Sequence, residues 1–168
     1  MKPSDIYSGL TANMVRELFD YSPDTGLLTR RVRTANCTAV GDVAGTTSRG
    51  NYVCVKIDGR PYKAHRLVWL YVHGRWPEEE IDHINGVPTD NRLGNLREAS
   101  RRTNVENKRS GRSDNKGGLL GVSAHGNKYL AQIQVNGEKR HIGCFATPSE
   151  AHDAYLTAKR RLHDGCTV

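Results

Sequence analysis

The segment from residue 81 to 109 carries the side chains of this chain that are best suited to hydrolytic chemistry. Asp82 and His83 are adjacent on a predicted strand, so their side chains point to opposite faces. A carboxylate suits a hard divalent cation such as Mg²⁺, and a histidine can take a proton from water near neutral pH. If Asn104 on the following predicted helix points back toward Asp82, it adds a neutral oxygen ligand. Such a site leaves open positions for water and phosphate oxygens, as a hydrolytic metal requires.

Several polar residues of this region have a simpler interpretation. Asn85-Gly86 and Asp90-Asn91 are interpreted as turn-formers, because these residue types favour turns. His65, just before an apolar helix, is interpreted as a partly buried histidine that is bonded within the fold rather than as a catalytic group. His73 is interpreted as a helix-end residue that the helix dipole favours.

Periodicity predicts the elements that must position these residues. In the first part of the chain, the predicted elements are a helix at 11–20, strands at 27–32, 52–57 and 60–63, a helix at 64–73, strands at 81–84 and 96–99, and a helix from 100 or 101 to about 109. Asp58-Gly59 predicts a two-residue hairpin turn, and Gly74 predicts the end of the helix that begins at residue 64.

The last fifty residues predict an independent unit of three strands and one helix. The strands are expected at 119–124, 129–135 and 140–145, with Asn136-Gly137 as a hairpin turn. Thr147 predicts the N-cap of a helix that continues to about His163. The small, polar segment 110–118 predicts a linker between this unit and the residues before it.

Charge is distributed unevenly along the chain. Lys and Arg number 25 against 18 Asp and Glu, a net charge of +7. Residues 101–118 hold six basic and two acidic residues, so more than half of the excess lies in this short stretch. The excess favours a polyanion as partner, with a merely soluble basic protein as the alternative.

The composition also argues against several classes of protein. No apolar run reaches the length of a membrane span, and the first residues lack the apolar stretch of a secretion signal, so we expect a cytoplasmic protein. The four cysteines form no C-x-x-C pair, which argues against a zinc ribbon or a redox motif.

The region 65–109 resembles the HNH endonuclease family, whose nuclease unit is a ββα-metal motif, and it is most similar to the phage and intron-encoded homing endonucleases. The matching pieces are His65-Arg66-Leu67-Val68, Ile81-Asp82-His83-Ile84-Asn85-Gly86, Asp90-Asn91-Arg92-Leu93-Gly94-Asn95-Leu96-Arg97, and the pair Asn104 and Asn107.

The resemblance implies a role for each polar position. Asp82 matches the metal-binding Asp of the first strand, and His83 matches the general base beside it. Asn95 matches the middle Asn of the motif, which pins the loop between the strands. Asn104 matches the second metal ligand, where other branches have His. Asn107 lies three residues on along the same helix face and is the alternative ligand.

Residues 119–164 resemble the plant ethylene-response-factor (Apetala) type of DNA-binding domain. The matching pieces are Gly121-Val122, Tyr129, Ala131 and Ile133, Ile142-Gly143 and Phe145, and Glu150-Ala151, Ala154-Tyr155 and Ala158. That family reads the major groove with the sheet face that lies opposite its helix. Alternation predicts that Tyr129, Ala131, Ile133 and Val135 face the helix. The side chains expected to contact DNA from this unit are Lys128, Gln132, Gln134, Lys139, Arg140 and His141. The alternative for this face is a solvated sheet surface.

The basic residues around the linker are expected to contact DNA phosphates, which gives affinity without sequence information. They are Arg101, Arg102, Lys108, Arg109, Arg112 and Lys116. Arg101 and Arg102 have a solvated helix face as their alternative.

These inferences together predict an α+β protein. We expect an amino-terminal helix and β-rich part at 1–63, an HNH ββα-metal unit at 64–109, a basic linker at 110–118 and the three-stranded sheet with one helix at 119–168. The resemblance implies a DNA endonuclease with one Mg²⁺ or Mn²⁺, which uses His-activated water and leaves 5′-phosphate and 3′-hydroxyl ends.

The expected partner is double-stranded DNA, without a membrane or a small-molecule substrate, in a bacterial or phage-infected cell. The chain is a monomer or a homodimer, and nicking and double-strand cleavage both stay open. A non-catalytic DNA-binding regulator with an inactive HNH unit is the alternative function. A metal-stabilised structural domain is disfavoured because two or three hard ligands without Cys pairs make a poor structural zinc site.

Overall fold

The structure is a computed structural model that describes residues 9–34, 38–48, 51–108, 119–163 and 166–167. It confirms the α+β class, with small antiparallel sheets and helices. The chain divides into two compact units, Met1–Ser100 and Arg101–Val168. The predicted linker at 110–118 lies outside the described residues.

The first unit contains two helices and seven strands among its described residues. In chain order they are α1 (Ala12–Leu18), β1 (Phe19–Ser22), β2 (Leu27–Arg30), β3 (Thr46–Thr47), β4 (Val53–Ile57), β5 (Arg60–Lys63), α2 (Ala64–His73), β6 (Glu80–His83) and β7 (Leu96–Ala99), with a short 3-10 helix at Leu93–Asn95. The strands β1 and β2 form a hairpin, β3, β4 and β5 form a sheet in that order, and β6 and β7 form a second hairpin. All of these pairings are antiparallel.

Helix α2 is the centre of the hydrophobic core of this unit. Leu67 and Val68 are fully buried and belong to one cluster with Val15 of α1, Phe19 of β1 and Val55 of β4. Removing a large apolar side chain from such a cluster costs roughly 2–5 kcal/mol, so α2 is fixed by packing rather than by its intrinsic propensity. Ile81 of β6 and Leu96 of β7 belong to the same cluster, so this core also supports the hairpin that carries Asp82 and His83.

The predicted bounds of α2 are confirmed, including its end. Gly74 adopts a left-handed backbone with φ of 73°, and its N–H donates to the carbonyl of Leu70 at 2.9 Å. A residue without a β-carbon meets no steric penalty in that conformation, which is why the apolar pattern ends at this glycine.

The helix predicted at 11–20 is shorter than expected. It ends at Leu18, because Phe19 becomes extended and pairs with Arg30 in the β1–β2 hairpin. The Phe19 side chain is still buried, but as a strand residue. Periodicity did not predict β1 or the two-residue strand β3, since both are too short for an alternating pattern.

The second unit contains the predicted three-stranded sheet with one helix. Its elements are α3 (Arg101–Glu106), β8 (Val122–His125), β9 (Lys128–Val135), β10 (Glu138–Phe145) and α4 (Pro148–Leu162). The strands are antiparallel with β9 in the middle, and Ala151 and Tyr155 of α4 share a core cluster with Ala131 and Ile133 of β9. The predicted N-cap is confirmed, because the Thr147 hydroxyl accepts the N–H of Glu150 while the Glu150 carboxylate accepts the N–H of Thr147.

Helix α3 ends at Glu106, earlier than predicted, and contacts within the second unit hold the residues that follow it. The buried Lys159 ammonium donates to the carbonyl oxygen of Lys108, and the Thr167 hydroxyl donates to the Asn107 side-chain oxygen. These bonds connect the end of α3 to α4 and to the carboxy-terminal residues. None of the helices in the described part of the chain has the length and apolar character that a membrane crossing needs.

Candidate active site

Asp82 and His83 are the last two residues of strand β6 in the β6–β7 hairpin. Antiparallel register places Asp82 opposite Arg97 and His83 opposite Leu96. Asp82 and His83 are 4% and 5% exposed, so both faces of the hairpin are covered at this point. A buried carboxylate and a buried imidazole require polar partners, since burial without them costs free energy.

Arg97 is the polar partner of Asp82. Its Nε and Nη2 donate to the same carboxylate oxygen, Oδ2, at 3.0 and 2.8 Å. Two charge-assisted bonds from a planar guanidinium fix the orientation of the carboxylate as well as offsetting its charge. A carboxylate offers about four lone-pair sites, so one that accepts hydrogen bonds from arginine is still able to ligate a metal ion.

Asn91 is the polar partner of His83. The His83 Nε2 lies 3.2 Å from the Asn91 side-chain oxygen, and Asn91 is itself buried. With that oxygen as acceptor, Nε2 carries the ring hydrogen and Nδ1 is the basic atom. The turn interpretation of Asn91 was therefore wrong, because its side chain contacts the imidazole instead of capping a turn.

The surroundings of His83 favour its neutral form. Burial lowers the pKa of His83 below its ordinary value of 6.5, and the hydrogen bond to Asn91 and the charges of Asp82 and Asp90 counteract this in part. The Lys63 ammonium also lowers the pKa. A neutral imidazole at neutral pH is the form that can accept a proton from water.

Asn95 connects the two sides of the loop that joins β6 to β7. Its side-chain oxygen accepts the N–H of Asn85 at 2.9 Å, and its side-chain nitrogen donates to the carbonyl of Asp90 at 2.8 Å. Its backbone carbonyl accepts the N–H of Ile84 at 2.9 Å. These are the contacts that the predicted loop-pinning role requires, and any part in catalysis stays a prediction.

Asn85 and Asp90 form the turn within this loop, as predicted. Asn85 donates from its side-chain nitrogen to Asp90 at 2.7 Å, and its side-chain oxygen accepts the N–H of Val87 at 2.9 Å. Hydrogen bonds from the Arg92 side chain lower the pKa of Asp90 from 3.8 to about 2. Asp90 is thus an ionised turn-former at any pH near neutrality.

The first hairpin supports the loop from outside. The Tyr21 hydroxyl of β1 donates to the carbonyl of Asn91 at 3.2 Å and accepts the N–H of Leu93 at 2.9 Å. Gly26, in the turn between β1 and β2, lies directly against the backbone of Asn91 and Arg92. The partner of His83 is therefore held by a residue that precedes it by 70 positions in the sequence.

Tyr52, Lys63 and His65, which precede the polar segment, also lie near His83. The sequence analysis discussed His65 but not Tyr52 or Lys63. The ring of His65 lies edge-on to that of His83 at 5.0 Å, and the Tyr52 ring lies 5.4 Å from His65 and 5.9 Å from His83. The Lys63 ammonium lies 4.5 Å from the Tyr52 ring centre. The sequence contains no local signal for Tyr52, whereas Lys63 could have been noticed as the basic residue directly before the predicted helix at 64–73.

His65 is buried as expected, but it is not bonded as expected. No hydrogen-bond partner of its Nδ1 lies within the described ranges, and the ring is 4% exposed. Burial lowers the pKa of His65 from 6.5 to about 3, with further lowering by His83, Lys63 and Arg66. His65 is therefore a neutral ring that packs against the proposed base.

The two predicted metal ligands lie in different units. Asp82 is on β6, whereas the half-buried Asn104 is on α3 of the second unit. The side-chain oxygen of Asn107, the alternative ligand, accepts a hydrogen bond from Thr167, and the choice between Asn104 and Asn107 stays a prediction. Within the described residues no cluster of three or more His, Cys, Asp or Glu is suited to a metal. The Asp82 carboxylate by itself fits a Mg²⁺-type ion that keeps water and phosphate ligands, whereas zinc would require further His or Cys ligands.

The three-stranded sheet of the second unit has one face covered by α4 and one open face. Tyr129, Ala131, Ile133 and Val135 belong to the helix side, as predicted. The open face carries Ser123, His125, Lys128, Leu130, Gln132, Gln134, Lys139, His141 and Cys144. Arg140 pairs with Ile133, so the register puts it on the helix side, although its side chain is exposed. Of the six predicted DNA contacts, the other five lie on the open face, and His125 joins them.

The open face has a single sign of charge. It carries two Lys and two His but no Asp or Glu within the described strands. The amide nitrogen of Gln134 donates to the carbonyl of Gly137 at 3.1 Å, so this side chain is directed toward its own turn. The face is compatible with an anionic partner, and its contacts with DNA stay a prediction.

The predicted phosphate-binding residues before the linker are only partly described. Arg101 and Lys108 are exposed, and Arg102 forms an ion pair with Glu106 at 2.9 Å. Arg109, Arg112 and Lys116 lie outside the described residues.

A comparison with protein families identifies residues 62–106 as similar to the HNH endonuclease family. The match covers about a quarter of the chain and includes Asp82, His83, Asn95 and Asn104. It supports a nuclease with DNA as its substrate. No curated protein and no solved structure matches the chain. The resemblance of residues 119–164 to ethylene-response-factor domains stays a prediction.

Proposed function

We propose that the protein is a metal-dependent DNA endonuclease of the HNH type that acts as a site-specific homing endonuclease. The observation that carries this proposal is the buried Asp82 and His83 pair on β6, within the segment that is similar to the HNH family. Arg97 orients the carboxylate and Asn91 orients the imidazole. A pair held in this way is preorganised, which is how enzymes limit the cost of reaching a transition state.

In the proposed reaction, His83 removes a proton from the attacking water through Nδ1, while Nε2 stays bonded to Asn91. The water oxygen attacks phosphorus, and the bond between phosphorus and the 3′ oxygen breaks. The departing 3′ oxygen takes a proton from solvent water and His83 returns its proton to solvent, so the products are a 5′-phosphate and a 3′-hydroxyl. Asn95 keeps the loop in place, so that Asn91 and His83 hold their relative position.

Asp82 would hold one Mg²⁺ or Mn²⁺, with its carboxylate oriented by Arg97. When bound, such an ion supplies positive charge beside the phosphate and the leaving oxygen. Asn104 is proposed as the second ligand on the basis of the family resemblance.

The second unit is proposed to supply DNA recognition. Its open sheet face offers Lys and Gln side chains, which bind phosphate and base edges respectively. We propose the cytoplasm of a bacterial or phage-infected cell as the location.

Supercoiled plasmid DNA tests this proposal. We expect the protein to convert the plasmid to open-circle or linear DNA in Mg²⁺ or Mn²⁺ but not in EDTA. His83→Ala should abolish the conversion and leave DNA binding in EDTA unchanged, because the imidazole acts on water rather than on DNA. Nicks with 5′-phosphate and 3′-hydroxyl ends should be sealed directly by DNA ligase.

His73→Ala is the matched control, since it removes an exposed histidine from the same unit. It should cleave like the unmodified protein. Intact DNA binding without cleavage in either metal, also on a library of DNA sequences, would favour the non-catalytic regulator instead. The ratio of open-circle to linear product distinguishes nicking by a monomer from a double-strand break by a dimer.

A further inference from the structure

Lys63 lies at the junction of β5 and α2, next to the proposed active site. It is the last residue of β5, pairs with Cys54 of β4, and precedes α2 as its N-cap. Its ammonium group lies 4.5 Å from the centre of the Tyr52 ring, and that ring lies 5.9 Å from the ring of His83. The position of this cation is thus defined by two elements and by an aromatic neighbour.

The charge of Lys63 is not neutralised by a carboxylate. No ion pair joins it to an Asp or Glu within the described ranges, and its side chain is exposed. Helix α2 has no acidic residue in its first turn, so the partial positive charge of that helix end adds to the charge of Lys63.

An exposed ammonium without a carboxylate partner keeps its charge available for an anionic ligand. The Tyr52 ring restricts the lysine side chain through a cation–π contact, which lowers the entropy lost when the ammonium binds a ligand. A DNA phosphate is the anion that the HNH resemblance provides.

We propose that Lys63, held against Tyr52, is a catalytic residue that contacts the DNA phosphate at which His83 activates water. This inference rests on the proposed nuclease function and adds a cation from outside the polar segment 81–109. In the transition state, Lys63 would stabilise the negative charge that builds on the non-bridging phosphate oxygens.

The first test measures contact with DNA and does not depend on cleavage. In EDTA, the protein with and without a DNA duplex is treated with an acetylating reagent, and modification of each lysine is followed by mass spectrometry. We expect DNA to protect Lys63. Lys56 is the matched comparison, because it is an exposed lysine on the same face of the neighbouring strand β4, without the Tyr52 contact.

The second test measures the cleavage step. At saturating DNA and Mg²⁺, Lys63→Met should lower the single-turnover rate constant roughly ten- to a hundred-fold, as removal of one charge-stabilising donor does elsewhere. Lys63→Arg should restore most of the rate, because it returns the positive charge. Lys56→Met should change the rate constant less than about two-fold, because Lys56 is not proposed to contact the reacting phosphate.

Folding is checked by urea unfolding followed by tryptophan fluorescence, since Trp69 and Trp76 both lie in the first unit. We expect an unchanged midpoint for Lys63→Met, because the side chain is exposed.

The two tests separate the failure of this inference from the failure of the proposed function. If DNA protects Lys63 but the protein cuts no DNA, the proposed contact between Lys63 and DNA stands and the proposed nuclease function is overturned. Cleavage by an enzyme in which DNA leaves Lys63 unprotected would overturn the contact. Equal rate losses in Lys63→Met and Lys56→Met would also overturn the proposed contact. The loss of any positive charge in this unit would then explain the lower rate.

Discussion

Neighbouring side chains that take no part in the proposed reaction set the protonation state and the orientation of the His83 imidazole, the proposed general base. Burial keeps it neutral, Asn91 fixes its ring, and the rings of His65 and Tyr52 pack against it. Each of these contacts restricts the ring to one orientation, which is what a general base requires before substrate binds. At this scale the site is defined by contacts between side chains that are distant in sequence.

The buried His65 predicts how stability depends on pH. Its pKa is about 3 in the folded protein and near 6.5 in the unfolded chain, so the unfolded chain binds a proton more readily between these values. Stability is fully present above pH 6.5 and falls as the pH is lowered toward 3. Between pH 7 and pH 5 the loss from this one group is about 2 kcal/mol. Urea unfolding followed by tryptophan fluorescence measures it in the first unit.

His65→Gln should remove this part of the pH dependence, whatever it does to stability at pH 7. His73→Gln is the control for removing an imidazole from the same helix, because that residue is exposed. Parallel pH profiles for His65→Gln and the unmodified protein would contradict the assignment. Since His83 also has a lowered pKa, some pH dependence should persist in His65→Gln.

At the scale of elements, one hairpin supports another. The β6–β7 hairpin carries Asp82 and His83, but the loop between its strands contacts Tyr21 and Gly26 of the β1–β2 hairpin. The turn at Gly26 lies so close to the loop that a β-carbon there would be 2.4 Å from the backbone nitrogen of Arg92. The proposed site therefore depends on the packing of two elements that local patterns describe separately.

Gly26→Ala should disturb this packing. The added methyl group would meet the backbone of Asn91 and Arg92, and φ at residue 26 is 74°, which is unfavourable for alanine. Overpacking and a left-handed backbone together cost roughly 2–5 kcal/mol. We expect a lower urea midpoint by tryptophan fluorescence, and a lower cleavage rate under conditions where the variant is still folded, because Asn91 moves relative to His83.

Gly59→Ala is the matched control for the backbone strain alone. Gly59 has φ of 79° in the β4–β5 turn, and no atom lies within 4 Å of the position of its added β-carbon. It should lose about 1–2 kcal/mol and keep its cleavage rate. An equal loss of stability in both variants would show that the contact with Asn91 and Arg92 has no effect.

At the scale of the whole molecule, charge is the feature that governs association with DNA. The net charge is +7, and residues 101–118 contribute six of the 25 basic residues with only two acidic ones. Association with a polyanion releases counterions, so affinity falls steeply as salt is added. Phosphate contacts of this kind act on every DNA sequence alike.

Replacing Arg109, Arg112 and Lys116 by Gln should weaken DNA binding in EDTA to a similar degree for unrelated duplexes. The slope of log K against log salt should decrease by about 0.9 for each phosphate contact that is removed. Fluorescence anisotropy at several salt concentrations measures the slope.

The matched control replaces Arg31, Lys56 and Arg60 by Gln, which changes the net charge equally at exposed positions of the first unit. This control variant should reduce the slope of log K against log salt less than the variant of the basic stretch does. If both triple variants reduce the slope equally, the basic stretch has no special part in binding.

The sequence by itself determined the elements whose patterns are local. Helix α2 and its end at Gly74, the hairpin turns at Asp58-Gly59 and Asn136-Gly137, and the capped helix α4 follow from neighbours within a few residues. The Asp82 and His83 pair and its sequence spacing to Asn95 could also be recognised, because all three residues lie within one short segment of the chain. The match to the HNH family rests on the same local pattern.

Only the tertiary structure decided which residues surround that pair. Arg97 contacts Asp82 through strand register, and Asn91 contacts His83 across a loop. Lys63 belongs to a strand of another sheet, and Tyr52 directly precedes a strand of that same sheet. Register also put Arg140 on the opposite side of its sheet from Lys139 and His141. These contacts join residues whose sequence separation carries no periodic signal, so the packing of the core, rather than local propensity, determines them.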